Sequence, residues 1–332
     1  MLTTVAAGRV YDYSYCIGMY SQSATGFWTP QDFVFGKNER IYVLSRGVEQ
    51  LGQRVSKINF DHEFQGQFGS FGGEDGRFMW PRSIDLDQSG RVYVSDEYLN
   101  RISVFDAEGA FRYHFGRSGN GEGEMNGPSG IAFDSHDVVW VVDSLNHRVQ
   151  SFSQIGEFQS SFGQQGAGDS DFDMPWGICI DKNDDIYVAD WGNNRVQKFS
   201  PSGELLLRFE ESSNGVGSLK GPSGVAVDSD GDVYVTDWGN HRVQIYDASG
   251  RYITALVGDA QEPSPWHQTY LAGNPEYLKA RRRADMEPEW RFRRPVAVNV
   301  DANNRIVVLE SARHRLQIYN KLKDYEEHSL NL

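Results

Sequence analysis

Cysteine is the scarcest informative residue in this sequence: Cys16 and Cys179 are the only two in 332 residues. Their spacing suggests neither a disulfide framework nor a thiolate metal site. No stretch approaches 18 apolar residues, so no membrane-spanning helix and no membrane partner are expected. A basic segment followed by an apolar run is missing near Met1, and so is any Asn-x-Ser/Thr sequon, which makes a cytoplasmic protein the expectation. Basic residues are outnumbered, 32 Lys and Arg against 46 Asp and Glu, for a formal charge of −14. Such a balance repels a phosphate backbone and argues against nucleic acid as the main partner.

What is abundant is glycine, at 35 residues, together with 13% aromatics. Short strands joined by many tight turns use both, because glycine takes positive-φ turn positions and aromatics suit pleated surfaces. Internal self-similarity is plain. GPSGIAFDSHDVVWVVDSLNHRVQ from Gly127, MPWGICIDKNDDIYVADWGNNRVQ from Met174 and GPSGVAVDSDGDVYVTDWGNHRVQ from Gly221 are copies of one unit. A fourth copy starts at Trp80, and divergent copies start at Thr29 and Arg294. The marker prolines are Pro30, Pro81, Pro128, Pro175, Pro222 and Pro295, separated by 51, 47, 47, 47 and 73 residues.

Each unit reads as four short strands with polar turns between them. A sheet of that size cannot bury both faces alone, but six arranged radially can. The expected fold is therefore an all-β, six-bladed β-propeller of four-stranded antiparallel blades in a single domain, residues 1–332. The last unit runs out of sequence after its third strand, so the segment at about 9–20 is expected to supply its outer strand and close the ring. Nothing points to an oligomer, and a monomer is expected.

The pattern P-x-G-[IV]-A-x-D, then [IV]-Y-V-x-D, then N-[HN]-R-[IV]-Q resembles the NHL repeat, from about Thr29 to Tyr319. The resemblance implies the propeller fold. It leaves function open among peptide-amidating lyases, sugar-lactone hydrolases, strictosidine-synthase-like enzymes, RNA-binding modules and protein-interaction modules. Similar amidating lyases place metal-binding histidines near the central axis. The six first strands here contain no histidine, so no metal and no cofactor are expected.

Residues recurring at one place in most units are expected to be scaffold. Five pairs share an offset of five residues and should clamp the turn between second and third strands: Asp96/Arg101, Asp143/Arg148, Asp190/Arg195, Asp237/Arg242 and Glu310/Arg315. His147, His241 and His314 share another equivalent position. Asp228-Ser-Asp230-Gly-Asp232 imitates the start of a calcium loop but has Val233 where such a loop needs glycine. It reads as a turn.

Departures from the repeat carry the functional expectation. Unit one is four residues longer than the norm around Arg46, with Ser45 at the clamp position. An insertion at 259–291 lies between blades five and six, with a helix start signal at Asn274-Pro275. It is expected to project over the channel mouth like a lid. The expected ligand-binding set is Trp28, Gln31, Asp32, Arg46, Trp80, Arg82, Glu97, Tyr98, Trp176, Trp191, Trp238, Trp266, His267, Tyr270 and Arg294. These would make an aromatic cup with a few charges, suited to a small molecule or peptide segment. The alternative is a lyase or hydrolase in the same pocket, with Glu97 or Glu310 as general acid/base, Arg82 stabilising an anion and His267 carrying protons. RNA binding, resting on the basic stretch Lys279–Arg294, ranks third.

Overall fold

The computed structural model describes residues 2–22, 25–209 and 217–322. Within them lie six sheets, five of four antiparallel strands and one of five. The inner strands are Pro30–Phe35, Pro81–Leu86, Pro128–Phe133, Pro175–Ile180, Pro222–Val227 and Pro295–Val300. Each packs against the next, and the sixth packs against the first, so the six close a ring.

Burial follows position in the blade. Second strands such as Ile186–Asp190 are buried along their whole length, because neighbouring blades cover both faces. Outer strands such as Leu205–Phe209 alternate between exposed and covered residues. The core consequently divides into six apolar clusters, one at each interface between adjacent blades. In the cluster between blades three and four, Val142 and Val149 meet Ile178, Ile186, Val188 and Phe199.

One apolar residue per interface wedges in just ahead of each inner strand: Phe27, Phe78, Met125, Phe172, Leu219 and Phe292, all buried. Glycine makes room for the wedge. At Gly163 (φ +93°), an added Cβ would lie 2.5 Å from the Phe172 ring. The repeat reading in the sequence did not identify this column.

The sheet of blade six takes the order Thr3–Ala6, Arg9–Ile17, Arg315–Leu322, Arg305–Glu310, Pro295–Val300. Arg9–Ile17 pairs antiparallel with Arg315–Leu322, from Val10 opposite Leu322 to Ile17 opposite Leu316. Thr3–Ala6 adds a fifth strand outside it, which the sequence reading did not foresee. At the same seam Lys321 Nζ lies 2.6, 2.9 and 2.9 Å from carboxylate oxygens of Asp228, Asp230 and Asp232, and Arg9 also pairs with Asp232. The calcium-loop mimic is therefore a turn whose cation is a lysine of the neighbouring blade.

Three short helices fill the insertion: α1 (Pro265–Ala272), α2 (Pro275–Arg281) and α3 (Glu287–Trp290). α2 starts at the expected Asn274-Pro275 signal. α1 starts at Ser264-Pro265, where the Ser264 side chain accepts from His267 N, a cap the sequence reading missed. Among the described residues, no helix is long and apolar enough to cross a membrane.

Candidate functional site

Four of the five expected clamps form. Asp143, Asp190 and Asp237 accept from Arg148, Arg195 and Arg242 at 2.9, 2.8 and 2.8 Å, and Glu310 accepts from Arg315 at 2.6 Å. Glu310 also accepts from Arg293 N and Gln317, so both its oxygens are committed to holding the turn and it cannot serve as a free acid/base. Asp96 and Arg101 do not pair. Asp96 accepts backbone N–H groups of Met79, Trp80, Tyr98 and Leu99, while Arg101 donates to carbonyls of Gly73, Glu74 and Arg77.

The recurrent histidines are scaffold for a specific reason. His147, His241 and His314 adopt left-handed backbone conformations, and their Nδ1 atoms accept the N–H of Met174, Arg294 and Thr29 respectively, each directly before the inner strand of the next blade. Asn100 and Asn194 do the same with Oδ1, toward Gly127 and Gly221. Asn and His tolerate positive φ better than most side chains, and both present an acceptor at the right reach. No such staple precedes Trp80, whose N–H goes to Asp96. The scaffold thus lapses where blades one and two meet, beside the longer turn of blade one.

Through the ring runs a channel cavity of about 210 Å³. Residues one to four places after the marker prolines line it. Five of the six residues directly after the prolines face it: Gln31, Arg82, Trp176, Ser223 and Val296. The sixth, Ser129, turns into the blade interface and donates to Trp176 O at 2.9 Å.

Arg82 crosses the entrance. Its Nη1 donates to Gln31 Oε1 at 2.8 Å, and its guanidinium lies 4.0 Å from the ring centroid of Trp176, two blades away. Trp176 stacks in turn on Trp191, 5.0 Å away and tilted by 22°. The indole N–H of Trp191 is buried and has no partner among the described residues. Among the described residues no carboxylate forms an ion pair with Arg82. Loss of hydration pulls its pKa down to about 10, offset in part by Glu97 and Asp32 and reinforced by Arg46.

Deeper in the channel, Asp32 accepts from Ser83 Oγ (2.5 Å) and Ile84 N (3.1 Å). Asp85 accepts from Leu86 N (2.8 Å). Both carboxyls touch the narrow channel, yet the surrounding protein strips most of their water. Desolvation raises Asp32 to about 6 and Asp85 to about 7. Asp85 was not among the expected site residues. Its signal was available: the equivalent positions hold Val34, Ala132, Cys179, Ala226 and Asn299, so an acid there breaks the column.

Beside Arg82, Arg46 pairs with Glu97 at 3.2 Å and lies 4.9 Å over the Trp80 ring, which contacts Tyr98 edge-on at 5.3 Å. Trp80 and Tyr98 are half exposed. On another sector, Arg294 lies 4.9 Å over Trp238.

The other expected residues do not reach the channel. No residue of 259–291 lines it. Trp266 packs on Phe27 and donates to His62 O at 2.7 Å, at the join of blades six and one. His267 and Tyr270 line a separate cavity against blade six. Trp28 contacts Tyr20, which also lines that second cavity. The insertion was expected to cover the mouth because it links two blades; instead its helices lean outward onto blade six, held by Trp266 and by Ser264 Oγ donating to Gly18 O at 2.6 Å. Three of its five basic residues are paired: Lys279 with Glu276, Arg281 with Glu289 and Arg291 with Glu287. Among the described residues no group of three or more His, Cys, Asp or Glu could hold a metal ion.

These features define a closed six-bladed propeller whose channel entrance is aromatic and crossed by Arg82. The NHL repeat model matches at residues 125–152, 172–199 and 219–246, in blades three, four and five, and the chain is an NHL-repeat six-bladed β-propeller. It is similar in fold to virginiamycin B lyase from Staphylococcus aureus (12% identity, TM-score 0.59, covering 93% of this chain and 99% of that one). A streptogramin B lyase superposes with 10% identity and a TM-score of 0.60 over 96% of this chain and 100% of that one. A protein of unknown function from Bacteroides thetaiotaomicron VPI-5482 gives 16% identity and a TM-score of 0.64, over 95% and 76% of the two chains. No curated protein sequence matches the chain.

Proposed function

We propose that this propeller binds a small molecule or peptide segment at the channel mouth through an anionic group on the ligand. The observation that carries this reading is Arg82, a desolvated guanidinium with one amide partner, an aromatic stack and no carboxylate. Structural arginines in this fold look different: Arg195 and Arg315 each face a buried acid, and Arg54 and Arg101 each donate to three backbone carbonyls. A carboxylate or phosphate at the mouth would accept the remaining donors of Arg82 in a forked geometry, and Trp176, Trp80 and Tyr98 would supply apolar contact. The test is a screen of small carboxylates and phosphates by tryptophan fluorescence. Binding should weaken in Arg82→Met and Trp176→Ala without a fall in the melting temperature. A fall in both together would reduce these residues to scaffold.

A lyase-type or hydrolase-type enzyme is the second reading, favoured by the two channel carboxyls held near neutrality below Arg82. Asp32 and Asp85 have the proton affinity that acid–base work near neutral pH requires, and Arg82 would stabilise developing negative charge. The full-length fold likeness to two lyases is consistent with it. Full turnover of an identified substrate by both Asp32→Asn and Asp85→Asn would end this mechanism.

A further inference from the structure

The channel mouth is not the roomiest recess in the molecule. Between α1 and blade six lies a cavity of about 630 Å³, three times the volume of the channel cavity and within the range of small-molecule pockets. Three segments distant in sequence build it: the link after Ile17, the helices α1 and α2, and the turn between the second and third strands of blade six.

Its walls are fixed by contacts already described. Ser264 ties the start of α1 to Gly18, Trp266 ties its outer side to His62, and Leu271 is buried. Arg281 holds Glu289 through two bonds of 2.6 and 2.8 Å, and Arg315 donates to Glu289 O.

The lining is aromatic. Tyr20 meets His314 at 5.2 Å on one side, and Tyr270 meets Tyr277 at 6.2 Å on the other. These three tyrosines are 48, 44 and 60% exposed, unusual for rings that sit so near one another. His314 is a neutral donor here: its Nδ1 accepts Thr29 N, which leaves the proton on Nε2, and burial pulls its pKa down to about 4.

Charge in the lining is lopsided. Glu289 is matched by Arg281, and Arg315 by Glu310. Arg313 has no carboxylate partner among the described residues. One Nη donates to Pro288 O at 2.7 Å, and its Nε is buried with nothing to bond. Its guanidinium charge is thus left for an anionic acceptor in the cavity to match.

We infer that this cavity is a second ligand site, distinct from the channel mouth, for an aromatic or heteroaromatic ring bearing one anionic group. The ring lies between Tyr20 and the Tyr270–Tyr277 pair, and the anion meets Arg313, with the His314 Nε2 proton as a further donor.

The probe is 8-anilinonaphthalene-1-sulfonate, a fluorescent aromatic anion, titrated into the intact protein. One saturable site is expected. Arg313→Gln and Tyr277→Ala should each weaken it at least fivefold, whereas Arg82→Met and Trp176→Ala should leave it unchanged. Tyr277 takes no part in the Ser264 and Trp266 bonds that anchor α1, so its removal leaves them intact, and an unchanged melting temperature checks this. Absence of saturable binding overturns the inference. So does saturable binding that the two pocket variants leave untouched, or that only the mouth variants reduce. The mouth reading stands or falls separately, on its own two variants.

Discussion

Arg195 and Arg82 are the same side chain under opposite regimes. Arg195 reaches Asp190 at 2.8 Å and donates to three carbonyls, of Ala167, Gly168 and Asp171, so its burial is fully compensated. Arg82 has one amide oxygen and a tryptophan face, and its pKa falls to about 10. The first arrangement recurs around the ring with only the acid varied, Asp in three blades and Glu in blade six. The second occurs where the repeat lapses. Of these two, the compensated charge is scaffold, and the uncompensated one marks a place left open to something else.

The comparison breaks most visibly at the clamp. Asp190→Ala strands a buried guanidinium and should cost about 3–5 kcal/mol, read from chemical denaturation. Next in size is Asp85→Asn. An acid whose folded pKa lies near 7, above its unfolded value, keeps its proton in the folded state where the unfolded chain has lost it. Stability therefore falls as pH rises from about 4 to about 7. The variant should match wild type at pH 4 and exceed it by on the order of 2–4 kcal/mol at pH 8. The difference between the two proteins is the quantity to measure, because His314, held neutral, destabilises on acidification across the same window.

Arg82→Met sharpens the contrast from the other side. Its denaturation midpoint should hold or rise, while affinity for an anionic ligand drops at least tenfold, about 1.4 kcal/mol. The smallest effect belongs to the histidine staple. His147→Asn keeps both the left-handed backbone and the acceptor, as Asn194 does in the next blade, and should shift stability by less than about 0.5 kcal/mol. His147→Ala, which loses the bond, should cost about 1 kcal/mol.

The blades were legible because repetition multiplies a weak signal: Pro128, Pro175 and Pro222 each announce the same strand. Clamps at Asp143, Asp190 and Asp237 were legible for the same reason. Asp96 looked equivalent in sequence, yet it spends its oxygens on backbone N–H groups near Trp80, a choice that depends on geometry rather than spacing. Arg82 and Trp176 were found as departures from a column, and Asp85 would have been found by reading the column three places further on. The direction of the insertion was not legible at all. It is set by the Trp266–His62 and Ser264–Gly18 bonds, between residues more than 200 apart in sequence.

That separation reaches its extreme at the seam of blade six, where Val10 lies opposite Leu322. Ribosomes add roughly 5–20 residues per second, so the strand at Arg9–Ile17 emerges tens of seconds before its partner exists. Blades one to five can stack in order of synthesis meanwhile, but this strand must wait with Tyr11 and Ile17, both fully buried in the finished ring, facing water. An unpaired edge of that kind invites pairing with another nascent chain. The arrival of the strand Arg315–Leu322 is thus also the moment at which the molecule ceases to be adhesive.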